Sequence, residues 1–457
     1  MMDLATAAKA VAGRVQGGNV RFTRVVTDSR QLQPGDLFVA LAGERYDGHD
    51  FVADALQRGA VAAMVSAARG GQIAGNLVVV ADTLAALGAL AGYWRRQFAL
   101  PLIAVVGSNG KTTVKEMIAT ILRTHYGERE VLATQGNLNN AIGLPLTLLR
   151  LSAEHRAAVV EIGMNHPGET AVLAELAQPG VAVVNNAQRE HQEFMRSIRD
   201  VADEHAAVVR ALGEGGIAVL NADDAHVDVW RDAARAAGAT AVEFALDHPA
   251  AVRDRGRPGA NGGVVELSTP AGDATVRLAA PGRHNVANAL AAATATLAIG
   301  VPLLAIVRGL EAFRPVPGRL VARATAHGAT VIDDSYNANP DSVRAAIAVL
   351  AARPAPRWLV LGDMGEVGAQ GPAFHREAGS EARAAGLDAL FTTGLLAAEA
   401  AAAYGPGALH FATPEELAQH VVARVAPGTT VLVKGSRFMR MERVVAALLA
   451  TAPEGVH

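Results

Sequence analysis

The sequence predicts an α/β protein of three domains. A central P-loop, parallel-sheet domain is flanked by a small N-terminal α/β domain and a C-terminal Rossmann-like domain. Three observations predict this. A strand, a glycine turn and a helix start follow one another at residues 101–113. Buried apolar runs alternate with helical patterns on both sides of that stretch. The chain has 457 residues, 51% of them hydrophobic, which is too many for one core and ample for several. The expected domains are 1–99, 100–317 and 318–457.

The organising stretch is an anion cradle. The apolar run 102–106 reads as a buried parallel strand, and it breaks at Gly107-Ser108-Asn109-Gly110. Lys111, Thr112 and Thr113 then open a helical pattern that runs to about residue 122. Free N–H groups and the dipole at a helix start favour phosphate. Lys111 would reach the β/γ-phosphates, and the Thr112 hydroxyl would ligand Mg²⁺. Val105 stands where the full pattern has a first glycine, so this is the short form Gly-x-x-Gly-Lys-Thr. A chance turn is the bland alternative; the strand before and the helix after favour a nucleotide.

Composition narrows the class. A net charge of −3 argues against nucleic acid or an anionic membrane as the main partner. The absence of cysteine excludes disulfides, thiol catalysis and thiolate metal sites. Asp3 and Lys9 interrupt the apolar start, which therefore lacks a signal-peptide core. Residues 285–307 carry no charge over a length able to span a bilayer. Their Ala, Thr and Asn content, with Gly300 and Pro302, fits a buried helix, a turn and a second helix better. A cytoplasmic, monomeric protein without membrane insertion is expected. Lysine is scarce, only Lys9, Lys111, Lys115 and Lys434, so each draws some attention as a chemical group.

In the first domain, a helix is expected over 4–15 and a strand over 21–27. Strands follow over 37–41, 62–65 and 77–80, with helices over 51–58 and 83–98. Asp28-Ser29-Arg30 reads as a cap or loop from spacing alone. In the second, strands are expected over 156–160, 181–184 and 217–220, which implies a parallel sheet with its ligand site at the strand C-termini. Glu161 sits just past one of those strands, where a carboxylate can meet nucleotide-bound Mg²⁺. His191 lies beyond the next strand. Alone, such a Glu is usually solvated and such a His structural; a shared sheet edge with residues 107–112 raises both. Residues 134–147 are rich in Asn and Gly, either a long turn or a binding loop of amides. Short alternating runs around 243–280 suggest a small antiparallel appendage. Asn285 and Asn288, three apart on a helix, could present amides to a base. In the third domain, strands are expected over 319–324, 330–333, 358–361, 389–392, 409–411 and 430–433. Helices are expected over 341–352, 372–385, 414–425 and 441–449. Residues 362–366 and 434–437 follow strand ends, and no Gly-x-Gly-x-x-Gly marks a second dinucleotide site.

Taken in order, these stretches resemble the Mur ligases of bacterial peptidoglycan synthesis over essentially the whole chain. The discriminating stretch is Asp333-Asp334-Ser335-Tyr336-Asn337-Ala338-Asn339-Pro340-Asp341-Ser342, where sister enzymes carry other sequences. Supporting it are Gly48-His49-Asp50-Phe51, the 134–147 loop, residues 362–366 and residues 434–437. The resemblance implies an ATP-dependent, ADP-forming ligase that adds D-alanyl-D-alanine to UDP-MurNAc-tripeptide through an acyl phosphate. It implies that Lys111 and Thr112 hold ATP and one Mg²⁺, with Glu161 on that metal, and that His191 ligands a second. Asn285 and Asn288 would face adenine, Arg319 the γ-phosphate, and Asp334 the ribose with Tyr336 and Asn337 close by. Ser29 and Arg30 would contact the uridine diphosphate, and Thr134, Asn137, Asn139 and Asn140 the sugar or peptide stem. Catalysis would rest on Lys111, His191 and Arg319. Lys434 is given no role beyond the domain cleft.

One departure stands out. Many members carry a carbamylated lysine after the His191 region, and this chain has no lysine between Lys115 and Lys434. His205 falls at that place with Glu204 beside it: either substitutes, or a water network fills the site. Neutral imidazole brings no negative charge, so Mg²⁺ should bind there less well. Two rivals remain. A GTP-binding switch would need an Asn/Thr-Lys-x-Asp guanine reader, which the scarcity of lysine removes from the central domain. A sister ligase with another amino-acid donor is opposed by residues 333–342.

Overall fold

The computed structural model describes residues 1–71, 73–256 and 262–450. Three large sheets are strung along the chain, each wrapped by helices, and a two-stranded ribbon, Met2–Asp3 with Arg21–Phe22, lies beside the first. The middle sheet has nine strands. Its core strand, Leu102–Val106, is buried at every position, as a five-residue apolar run between two parallel neighbours must be. Those neighbours are Ala157–Glu161 and Val181–Val184. The C-terminal ends of all three strands therefore open on one edge, which brings Gly107, Glu161 and Asn185 together.

Two helical layers cover this sheet. On one face lie Lys111–Tyr126, Arg283–Ala298 and Leu303–Ala312, packed around Ile118, Ile121, Leu290 and Leu310. The uncharged stretch 285–307 is thus a buried helix, a turn and a second helix. No described helix is long and apolar enough to cross a membrane. On the other face lie Glu169–Ala177, Ile198–Arg210 and Val227–Ala237, together with Thr83–Arg95 from the N-terminal unit.

The first sheet has five strands, parallel except for Arg14–Gln16 at one edge. One of its faces shares a continuous core with the middle unit through Leu87 and Leu90. Arg95 locks that joint. Its buried guanidinium donates to Ala177 O (2.9 Å) and Gln178 O (3.2 Å), the carbonyls left unpaired at a helix C-terminus, and to Phe98 O (2.6 Å). The third sheet has six strands, parallel except for the edge strand Val321–Ala324. Register sets Asp334 beside Lys434 at its C-terminal edge.

Several sequence expectations change. The first helix stops at Ala10, because the chain turns at Gly13, where a Cβ would meet Val79 O at 2.9 Å. The strand expected over 21–27 is two pieces, Arg21–Phe22 and Arg24–Val26, with different partners. The appendage around 243–280 is not separate. Thr240–Ala245, Val252–Asp254 and the hairpin Gly262–Thr269 with Gly272–Pro281 extend the middle sheet. Residues 257–261 of that stretch lie outside the described residues. Strand Val131–Ala133 and helix Ala397–Tyr404 had no clear sequence signal, being short or nearly all alanine. The strand expected from residue 319 begins at Val321, which leaves Arg319 free of the ladder.

Arg95→Met should lower unfolding free energy by about 2–4 kcal/mol, since it strands buried carbonyls at a helix end. Urea unfolding checks this; a shift below about 0.5 kcal/mol, the range of ordinary surface substitutions, would show that Arg95 does not join the two units.

Candidate active site

The phosphate loop is bent by two glycines. Gly107 (φ 141°) and Gly110 (φ 83°) hold backbone conformations that other residues resist. Space is short as well: a Cβ on Gly110 would lie 2.4 Å from Asn288 Oδ1. The segment after strand Val181–Val184 braces the loop. Ser108 N donates to Asn186 O (3.0 Å) and Asn109 N to Asn186 Oδ1 (2.8 Å). Asn185 Nδ2 donates to Asn109 O (2.8 Å) and Asn288 Oδ1 (2.9 Å). Gln188 N donates to Ser108 Oγ at 2.8 Å. Lys111 is folded back on its own loop, with Nζ 2.5 Å from Gly107 O, 3.3 Å from Ser108 O and 3.3 Å from Glu190 Oε2.

Thr112 is the junction of the site. Its hydroxyl donates to Glu161 Oε2 (2.8 Å) and accepts from Arg319 Nη2 (2.9 Å). Arg319 thus reaches the loop from the other side of the cleft, its guanidinium 4.4 Å above the centre of the Tyr336 ring. Asn139 Nδ2 donates to the other Glu161 oxygen at 2.7 Å. Further polar pairs cross the same cleft. Asn109 and Asn339 exchange amide hydrogen bonds of 3.3 and 3.0 Å. Asn339 also caps helix Pro340–Ala351 through Ser342 N. Arg189 forks onto Asp341 (2.7 Å) and Glu377 (2.8 Å), and these charges raise its already high pKa against burial. His191, held at φ 48°, lies 2.6 Å from Glu366 Oε2, and that contact keeps the Glu366 carboxyl below its ordinary range.

Charge is concentrated beneath the loop. Glu190 is buried, which opposes its ionisation. Lys111, His205 and His191 overcome this and hold its carboxyl at about 2. Asp334 is also buried and its pKa is raised for that reason, although Lys434 Nζ sits 2.7 Å away and also bonds Asn337 O (2.8 Å). A pair of this kind costs about 3–5 kcal/mol to break from one side. Lys434 therefore fixes the first half of the discriminating stretch, from Asp334 to Asn337, a role that strand position alone does not reveal.

A cavity of about 1380 Å³ runs between the middle and third units. Lys111, Thr112, Glu161, His191 and Arg319 line it, as do Asn285, Asp334, Tyr336 and Asn337. Asn137, Asn139 and Asn140 reach it from the amide-rich loop. Several of the expected residues are tied into the framework of the site. Thr134 is buried: its hydroxyl accepts from Glu161 N (3.0 Å) and its carbonyl from Lys115 Nζ (2.9 Å), so it braces the strand end. Asn140 Oδ1 caps Gly143 N at 2.9 Å. Asn288 lines the cavity too; both its amide atoms are engaged, with Asn185 and Asn285, and it supports Gly110. Ser29 and Arg30 lie on the 3-10 turn Ser29–Gln31, where Arg30 pairs with Asp28 (2.9 Å), outside this cavity. Glu204 accepts from Gly168 N and Thr170 N at 2.8 Å each and so serves the start of helix Glu169–Ala177, while His205 turns to Glu190 at 3.3 Å.

A phosphate loop completed by an arginine from the third unit is the site of a nucleotide-dependent enzyme. The chain belongs to the Mur ligase family. It matches the Mur ligase middle domain at residues 105–296, the glutamate ligase domain at 318–437 and the Mur ligase family catalytic domain at 21–95. A relative from Escherichia coli K12, a UDP-N-acetylmuramoyl-tripeptide--D-alanyl-D-alanine ligase, is 42% identical, with 95% of this chain and 96% of the relative covered. The crystal structure of MurF from Acinetobacter baumannii superposes with a TM-score of 0.90 at 34% identity, covering 98% of this chain and 99% of that one. MurF from Thermotoga maritima in complex with ADP gives 0.79 at 28% identity, covering 93% and 96%.

His375 supplies a pH test of the third unit. It is fully buried, accepts from Met364 N (3.0 Å) and donates from Nδ1 to Gly371 O (2.7 Å). Burial holds its pKa below the ordinary 6.5. The folded imidazole is neutral while the unfolded one protonates, so its stabilisation is present above pH 6.5 and lost on acidification. Unfolding free energy should fall as pH drops below that value, and His375→Gln should flatten the slope; an unchanged slope would contradict the assignment.

Proposed function

We infer that this chain joins D-alanyl-D-alanine to the terminal carboxylate of UDP-MurNAc-tripeptide at the expense of ATP. The observation that carries the reading is the Arg319–Thr112–Glu161 chain, which links the third unit to a phosphate loop inside a family of ligases. A carboxylate resists amines because its leaving group would be oxide. Transfer of the ATP γ-phosphoryl to it makes an acyl phosphate, whose leaving group is phosphate. Attack by the free amine of the dipeptide then gives a tetrahedral intermediate that collapses to amide and inorganic phosphate.

The roles assigned to the residues follow from their chemistry. Lys111 would leave Gly107 O for the β/γ-phosphates, with the loop N–H groups around them. Arg319 would neutralise charge on the transferring phosphoryl group. The Thr112 hydroxyl and Glu161 carboxylate, 2.8 Å apart, are hard oxygen donors that suit Mg²⁺ with phosphate oxygens and water completing its shell. Bound there, Mg²⁺ would offset phosphate charge. The cavity between the second and third units would exclude water from the acyl phosphate. We assign residues 1–99 to the nucleotide-sugar end of the substrate, 100–317 to ATP and 318–457 to closure and the incoming dipeptide. ATP and nucleotide-sugar precursors imply the cytoplasm as the working compartment.

Phosphate release should require both UDP-MurNAc-tripeptide and D-alanyl-D-alanine. Equal release with a single free amino acid as acceptor would favour a sister ligase. Lys111→Ala and Arg319→Ala should each lower turnover by about 10²–10³-fold or more with an unchanged circular-dichroism spectrum. Normal turnover in either variant would remove that side chain from the chemistry.

A further inference from the structure

We propose that Glu190 is a ligand, beside His191, for a second divalent cation that binds together with the triphosphate, and that it supplies the negative charge which neither His205 nor Glu204 brings. The inference rests on the ATP-dependent reading above.

Glu190 is only 6% exposed, yet it lines the cavity next to the phosphate loop. A buried carboxylate normally has its oxygens hydrogen-bonded. Here Oε1 lies 3.3 Å from His205 Nε2 with no hydrogen bond aligned between them. Oε2 has Lys111 Nζ at 3.3 Å and His191 Nε2 at 3.8 Å. The last separation is one that two atoms sharing a single cation can take up with little movement.

The Lys111 contact is replaceable. Its ammonium is also bonded to two carbonyls of its own loop, an arrangement that arriving phosphates would compete away. Once Lys111 turns to phosphate, Glu190 is left charged and buried with only imidazoles for company. A divalent cation held between Oε2, His191 Nε2 and a phosphate oxygen would restore the balance. Among the described residues no three His, Asp or Glu side chains gather as a metal set. That suits Mg²⁺, which commonly takes one or two protein ligands and fills its shell with phosphate and water. Glu204 is committed to helix Glu169–Ala177, and His205 packs behind Glu190 with its Nδ1 unpartnered, so His205 is a positioning residue here.

The test counts Mn²⁺ ions by electron paramagnetic resonance, on the full chain with a non-hydrolysable ATP analogue. Wild type should bind two per chain. Glu190→Gln should keep the analogue and one ion and weaken the second by about tenfold or more. One ion in wild type, or two of unchanged affinity in Glu190→Gln, would overturn the proposal. Should Glu190→Gln not fold, pulsed measurements on wild type decide. One of two ions should show ¹⁴N coupling from an imidazole, and absence of that coupling would overturn the proposal. Failure of wild type to bind the analogue at all would instead remove the ATP-dependent reading on which this rests.

Discussion

One hydrogen bond, from the Arg319 guanidinium to the Thr112 hydroxyl, sets the terms for the rest of the molecule. Thr112 stands at the start of the phosphate-loop helix, and Arg319 stands just ahead of the first strand of the third sheet. Joining them fixes how the second and third units face one another across the cavity. The contacts gathered around this bond are polar as well: the Asn109–Asn339 amide pair, the Arg189 fork and the His191–Glu366 contact. Such contacts contribute about 0.5–1.5 kcal/mol net when neutral and about 1.5–3 kcal/mol when a charged group takes part, because water replaces them when they are broken. Such an interface holds its two sides by polar contacts instead of a shared apolar core. The joint between the first and second units, with Leu87 and Leu90 in one continuous apolar core, resists separation far more.

The same logic explains the charges beneath the loop. A triphosphate site must hold strong positive charge without collapsing around it. Here Lys111 is parked against Glu190 and two loop carbonyls, so it is neutralised yet close to where phosphate would sit. Asp334 and Lys434 repeat the device on the opposite wall, where a buried pair holds the 333–342 loop against the cleft. These pairs add little to net stability, because desolvation offsets most of their attraction. Their value lies in orientation.

Much of this was legible in the residues. The apolar run 102–106, its glycine break and Lys111-Thr112 announced the loop, because a parallel strand and a phosphate cradle each need a distinct local pattern. Glu161 and His191 are legible by their place near strand C-termini; Glu161 is the last residue of its strand, and His191 follows the loop after Val181–Val184. The ordered set of motifs carried the family. What stayed hidden depends on long-range packing. Asn185, Asn186 and Gln188 carry no local signature, yet they brace the loop. Thr134 has the right chemistry for a ligand and spends it on the Glu161 backbone and the Lys115 ammonium. The hairpin near 262–281 reads as an appendage because its alternation is local, whereas its docking onto Val252–Asp254 is not. Arg189 and Lys434 become meaningful only when sequence-distant carboxylates are placed beside them. Glu190 has no local signature, since its place beside Lys111 and His205 depends on packing between distant segments.

The central claim is that a carboxylate is phosphorylated before an amine displaces it. The most direct measurement follows oxygen. With UDP-MurNAc-tripeptide labelled with ¹⁸O in its terminal carboxylate, one labelled oxygen should appear in the inorganic phosphate for each amide bond formed with D-alanyl-D-alanine. Phosphate that carries no label while the amide forms would show that the acid is never joined to the γ-phosphoryl group, and would contradict the account.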